Sequence, residues 1–143
     1  MSVHQISVFL ENRAGQLAQI TRLLADKGVN MRALNIAETT DYGVLRLIVD
    51  NAEKATGTLL EAGFILSMTP VIPVVVPDRA GGLADVLDVL AEGNIDVEYM
   101  YSLFPQAGDK ACMIFRLKDE ATFASLLRSH GLHVATKSEL GLI

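Results

Sequence analysis

The stretch Asn12-Arg13-Ala14-Gly15-Gln16-Leu17-Ala18 returns, sixty-six positions on, as Asp78-Arg79-Ala80-Gly81-Gly82-Leu83-Ala84. A chain that repeats a turn at such a distance builds one supersecondary unit twice. Each copy follows a run that reads as a strand and leads into apolar residues at helical spacing, so each copy is a strand-to-helix turn.

The first unit opens with alternation over His4 to Glu11, where Ile6, Val8 and Leu10 share one side of a half-buried strand. Leu17, Ile20, Leu23 and Leu24 then recur at helical spacing, and Gly28 closes that helix. Met31 to Thr39 reads as a second strand, Asp41-Tyr42-Gly43 as a hairpin turn, and Val44 to Val49 as a third strand. Asp50 or Asn51 caps a helix over Ala52 to Ala62, Gly63 stops it, and Phe64 to Met68 is a short last strand.

The order strand, helix, strand, strand, helix, strand predicts a ferredoxin-like βαββαβ unit, an α+β fold with an antiparallel sheet and both helices on one face. The second unit repeats the plan. Ile72, Val74 and Val76 match Ile6, Val8 and Leu10, and Leu83, Val86, Leu87 and Leu90 form the helix stripe. Strands are expected over Ile95 to Phe104 and Ala111 to Leu117, with the extra residues of the second hairpin at Pro105 to Asp109. A last helix opens at Asp119 or Glu120, and a short strand runs from Leu132 to Thr136. Two tandem units follow, 1–69 and 70–143, joined at Pro70 without a flexible linker. Pro73 lies inside a strand and donates no hydrogen bond, which predicts a local irregularity there.

With 143 residues, half of them hydrophobic, the chain has enough apolar side chains for a substantial core. A net charge of −5 without a block of Lys or Arg offers nothing to nucleic acid or an anionic membrane. No stretch approaches the roughly 20 apolar residues of a membrane span, and no basic region leads an apolar one at the N-terminus. A cytoplasmic protein is expected. Cys112 is the single cysteine, which excludes an internal disulfide, and its apolar surroundings predict a buried, inert thiol. By parity the sheet face away from the helices carries Phe9, Ile48, Val75 and Ile114 beside Ser7, Arg46, Cys112 and Arg116. Such a face calls for a cover, most simply a second copy of the chain in a homodimer.

Catalysis needs a nucleophile or base with an orienting partner, and the inventory is thin. His4, His130 and His133 are scattered; His130-x-x-His133 spans the Gly131 break, so a surface role is expected and no metal site or cofactor is assigned. The repeated turn instead offers backbone N–H groups at a helix start, suited to a carboxylate, beside Asn12 or Asp78, which could accept from an ammonium group. A zwitterion meets both. On the residues alone a plainer reading stands beside it, in which Asn12 and Asp78 cap their helices and Gly15 and Gly81 ease a tight turn.

Asn12 to Leu17 followed by Leu23 to Met31, and again Asp78 to Leu83 followed by Leu90 to Asp96, closely resemble the ACT domain, a small amino-acid-binding regulatory module. The likeness covers nearly the whole chain as two copies. It implies a non-enzymatic sensor whose ligand lies between the repeats and whose occupancy is passed to its own oligomer or to a regulated enzyme. The ligand-binding positions it implies are Asn12, Ala14, Gly15, Gln16, Leu17 and Asn30, with Asp78, Ala80, Gly81, Gly82, Leu83 and Asp96 in the second copy. The chain departs from the family where Ala14 and Ala80 replace a common proline, and where Leu10 and Val76 stand in place of a histidine found in some serine-binding members. A constitutive interaction module and a small enzyme on the same fold are the alternatives.

Overall fold

A computed structural model describes residues 3–11, 13–38, 42–104 and 110–143. Asn12, Asp41 and the Pro105 to Asp109 insertion lie outside the described residues, while Tyr42 and Gly43, read from the sequence as part of the hairpin turn, belong to a strand. The chain divides into two compact units, one of His4–Thr69 with Gly141–Ile143 and one of Pro70–Leu140 with Val3.

The first unit holds β1 (Val3–Glu11), α1 (Gln16–Asp26), β2 (Met31–Glu38), β3 (Tyr42–Val49), α2 (Ala52–Glu61) and the start of β4 (Leu66–Pro77). Its strands lie in the order β2-β3-β1-β4, and β1 runs antiparallel to β3 in a register from Ile6↔Leu47 to Glu11↔Tyr42. The alternation read from the sequence decides the core. Ile6 and Val8 pack with Leu45, Leu47, Ile20, Leu24 and Leu59, and burial of each such side chain stabilises the unit by about 1.5–3 kcal/mol. Asn51 caps α2 by accepting from the Lys54 N–H at 3.1 Å. Asp50 has a different task, since its Oδ1 accepts from the Asn30 N–H at 3.0 Å.

The second unit continues β4 and adds α3 (Gly82–Glu92), β5 (Tyr99–Ser102), β6 (Lys110–Arg116), α4 (Glu120–Ser129) and β7 (His133–Val134). β4 lies between β6 and β7, and β5 flanks β6. Its core joins Val74, Val76 and Val86 to Phe115, Phe123 and Leu127. The rings of Phe115 and Phe123 meet edge to face with centroids 5.4 Å apart, a favoured aromatic geometry. Each unit is thus a βαββαβ arrangement with an antiparallel sheet, as the sequence predicts.

Three details differ from the sequence reading. β4 is one strand from Leu66 to Pro77, so Pro70 does not interrupt it. The strand expected over Ile95 to Phe104 forms only over Tyr99–Ser102, because Ile95 is spent closing α3: its N–H donates to the Leu90 carbonyl at 2.9 Å. Asn94, at φ 53°, holds the left-handed position that Gly28 holds after α1 at φ 71°, and asparagine tolerates that region better than most residues. Finally, the face away from the helices is less open than parity suggests. Ile48 and Ile114 are fully buried within the chain, whereas Phe9 remains 50% exposed.

Pro73 behaves as its chemistry requires. Its carbonyl accepts from the Ala135 N–H at 2.9 Å, but the reciprocal bond needs an N–H that proline lacks. The ladder to β7 therefore stops after two residues, Val74↔Val134 and Val75↔His133.

Candidate functional site

The two copies of the turn are built bond for bond alike. In the first, the Arg13 N–H donates to Glu11 O at 2.9 Å, Gln16 N–H to Arg13 O at 3.4 Å, and Gln19 N–H to Gly15 O at 2.9 Å. In the second, Arg79 donates to Pro77 O at 2.9 Å, Gly82 to Arg79 O at 3.0 Å, and Asp85 to Gly81 O at 3.0 Å. Gly15 (φ 84°, ψ −11°) and Gly81 (φ 86°, ψ −9°) occupy the third position of a type II turn, which requires positive φ. Ala14 and Ala80 hold the second position, where proline is favoured for its fixed φ. Alanine in place of the family's proline removes that preset and leaves the turn intact.

The capping expectation for Asp78 is overturned. The residue at the N-cap of α3 is Gly81, and no side chain among the described residues caps the helix. Asp78 is exposed, too early in the chain to reach the first-turn N–H groups in this turn type. Those N–H groups lie at the positive end of the helix dipole. Charged side chains bracket both turns: Arg13 pairs with Glu11 at 3.2 Å, and Arg79 with Asp85 at 3.0 Å. Arg79 also donates to the Ala80 carbonyl at 3.1 Å.

Ala14, Gly15, Ala80 and Gly81 lie on the exposed turns, and Leu17 and Leu83 begin the apolar faces of their helices. Asn30 and Asp96 are exposed and do not adopt positive φ; that conformation falls two residues earlier, at Gly28 and Asn94.

Besides Asn12 against Asp78 and the different partners of Arg13 and Arg79, the copies part at a buried position. Gln16 is only 8% exposed, and its Oε1 is buried without a hydrogen-bond partner among the described residues; an orphaned buried acceptor costs about 1–3 kcal/mol. Its counterpart is Gly82, where a Cβ would collide with the Pro77 carbonyl oxygen. Gln16 stands in the wall of two cavities that flank the first turn. One, of about 160 Å³, is lined by Leu10, Leu17, Ile36 and Tyr42 with Glu11 and Arg13. The other, of about 300 Å³, is lined by Phe9, Gln19, Phe64 and Ile65. The sequence places Gln16 here for its backbone alone; the Gln-to-Gly difference between the copies is the signal that its side chain differs in role.

Elsewhere the titratable groups are engaged locally. His130 Nε2 lies 3.0 Å from Glu92 Oε2, and its Nδ1 lies 2.9 Å from the Leu126 carbonyl, a bond that leads in raising its pKa above the usual histidine value. His133 meets Glu139 at 2.7 Å, chiefly lowering the Glu139 pKa. The two histidines serve different carboxylates. Among the described residues no cluster of three or more His, Cys, Asp or Glu could hold a metal ion. Burial pushes the Cys112 thiol up to about 11, with the Glu139 charge adding to the effect. No helix among the described residues is long and apolar enough to cross a membrane.

Fold and turn together define a tandem pair of ferredoxin-like modules, each entering its first helix through the same glycine turn. The family model described as the ACT domain pair matches residues 1–140, and the chain belongs to that family. It is similar to protein BT0572 from Bacteroides thetaiotaomicron, with 34% identity over all of this chain and 98% of that one and a TM-score of 0.91. It shares the fold of the ligand-free regulatory subunit of aspartate kinase from Thermus thermophilus at 14% identity and a TM-score of 0.66, over 90% of this chain and 93% of that one. The acetolactate synthase small subunit of Aquifex aeolicus (strain VF5) is 38% identical over 47 residues, 33% of this chain. That match spans 24% of the Aquifex protein's length.

Proposed function

We propose that this chain is a non-catalytic, cytoplasmic sensor that binds a small amino acid or related carboxylate at the Asn12 to Leu17 turn and regulates a partner enzyme or its own oligomer. The observation that carries this reading is the doubled turn: two identical hydrogen-bond schemes, each presenting a helix start without a side-chain cap among the described residues. The cavities beside the first copy are the right order of size for a small ligand, at or below the lower end of the ~300–1,000 Å³ typical of drug-sized ones. Turn N–H groups and Arg13 receive the carboxylate. Asn12 and Asn30 are the proposed side-chain contacts of the first copy, and Asp78 and Asp96 those of the second. Family membership and the names of two relatives, a regulatory subunit of aspartate kinase and a small subunit of acetolactate synthase, support the regulatory part.

The mechanism is a population shift: ligand stabilises whichever conformation it binds better, and the partner reads the change. A thermal-shift panel of the standard amino acids tests the reading. A ligand at 100 times its Kd stabilises by about 2.7 kcal/mol, a rise of several degrees. Absence of any shift at millimolar concentration, with folded protein, refutes it. A homodimer is part of the proposal, supported by Phe9 at 50% exposure; a compact monomer in sedimentation at micromolar concentration removes that part.

A further inference from the structure

We propose that the Gln16 side chain is the specificity determinant of the first turn. Its amide oxygen accepts from the ammonium group of an apolar amino acid, whose side chain enters the cavity walled by Leu10, Leu17, Ile36 and Tyr42. The proposal rests on the reading of the turn as a ligand site and names the ligand class.

The first support is the orphaned oxygen. Gln16 is nine-tenths buried, its Oε1 has no partner among the described residues, and the residue lies in the wall of both cavities. A buried acceptor selects a donor, and a cationic donor makes the stronger bond. In this conformation Oε1 has no surface open to the cavities, so the proposed binding requires the Gln16 side chain to turn its amide toward the ligand. Arg13, 62% exposed on the same wall, takes the carboxylate together with the turn N–H groups.

The second support is size and polarity. The cavity measures about 160 Å³, and an apolar cavity of about 150 Å³ is enough to hold benzene. A branched aliphatic or aromatic side chain fits that space. Ile36 and Tyr42, 38% and 59% exposed, are the apolar surface such a side chain would cover.

The third support is the contrast between the repeats. At Gly82 the Pro77 carbonyl occupies the place of a Cβ, so the second turn has no side chain with which to discriminate. Recognition through this position belongs to the first repeat alone.

Calorimetric titration of the full chain with leucine and phenylalanine, and with their des-amino counterparts 4-methylpentanoate and 3-phenylpropanoate, tests the assignment. Wild type should bind at least one of the amino acids about tenfold or more tightly than its des-amino acid. Gln16→Met should lose that preference by weakening the amino acid alone, and Gln16→Glu, which keeps an acceptor, should retain it; circular dichroism confirms that each variant is folded. Equal affinity of wild type for both members of a pair, or equal loss of both in Gln16→Met, overturns the role of Gln16. Binding of polar amino acids in preference to leucine and phenylalanine overturns the apolar class while the sensor reading stands. Binding of no amino acid at all overturns both.

Discussion

Replacing a helical glycine with alanine at two positions should produce opposite results, and the difference measures how closely α3 approaches β4. Gly57 lies in the middle of α2 and is exposed, and a Cβ added there would have open space on every side out to 4 Å. Alanine there gains helix propensity, so Gly57→Ala should stabilise by about 0.5–1 kcal/mol. Gly82 is the first residue of α3, and its Cβ would strike the Pro77 carbonyl oxygen while lying 3.2 Å from the carbonyl carbon and 3.4 Å from Val76 Cγ1. The oxygen cannot swing aside freely, because it accepts the Arg79 N–H at 2.9 Å. Overpacking costs about 1–3 kcal/mol, and loss of the turn bond about 0.5–1.5 kcal/mol. Their sum, less the propensity gain, puts Gly82→Ala at about 0.5–4 kcal/mol destabilising. Urea denaturation at 25 °C reads both values, and thermal melts should move by a few degrees per kcal/mol. Equal stabilisation by the two substitutions would refute the close approach, and with it the physical account of why Gln16 has no counterpart.

Three further outcomes are expected. Ala80→Pro places proline at the second position of the type II turn, where the exposed Ala80 N–H has no backbone acceptor among the described residues, and should stabilise by about 0.4–1 kcal/mol in the same denaturation assay. His130 has a raised pKa in the folded chain, so its contribution is complete below about 6.5 and is lost as pH rises through the raised value. Proton NMR should show it titrating above about 6.5, and its replacement by Gln should flatten the fall in melting temperature over that range. Cys112, with its thiol at about 11, should react with iodoacetamide at mildly alkaline pH far more slowly in native protein than in urea.

The repeat and the two alternating strands Ile6 to Leu10 and Ile72 to Val76 make the fold legible, because period and order together leave few ways to bury those faces. Gly28, Gly63 and Gly131 mark helix ends through the left-handed positions they occupy. Less legible is anything decided by through-space approach. Gly82 reads as a permissive turn residue, but the decisive fact is a carbonyl oxygen from five residues earlier. The shortening of the Ile95 to Phe104 strand follows from a bond back to Leu90 that an apolar β-branched residue does not advertise. Of the candidate site, the two turns are visible in the sequence as places. The cap assigned to Asp78 fails, because a type II turn puts glycine at the helix boundary instead.

Pro73 has a consequence for solubility. A strand at the end of a sheet displays unpaired backbone groups that can recruit another chain, and short strands limit that hazard. By withholding one hydrogen from β7, Pro73 keeps that strand at His133–Val134. A residue in the interior of one strand thereby sets how little template its neighbour offers for uncontrolled β-assembly.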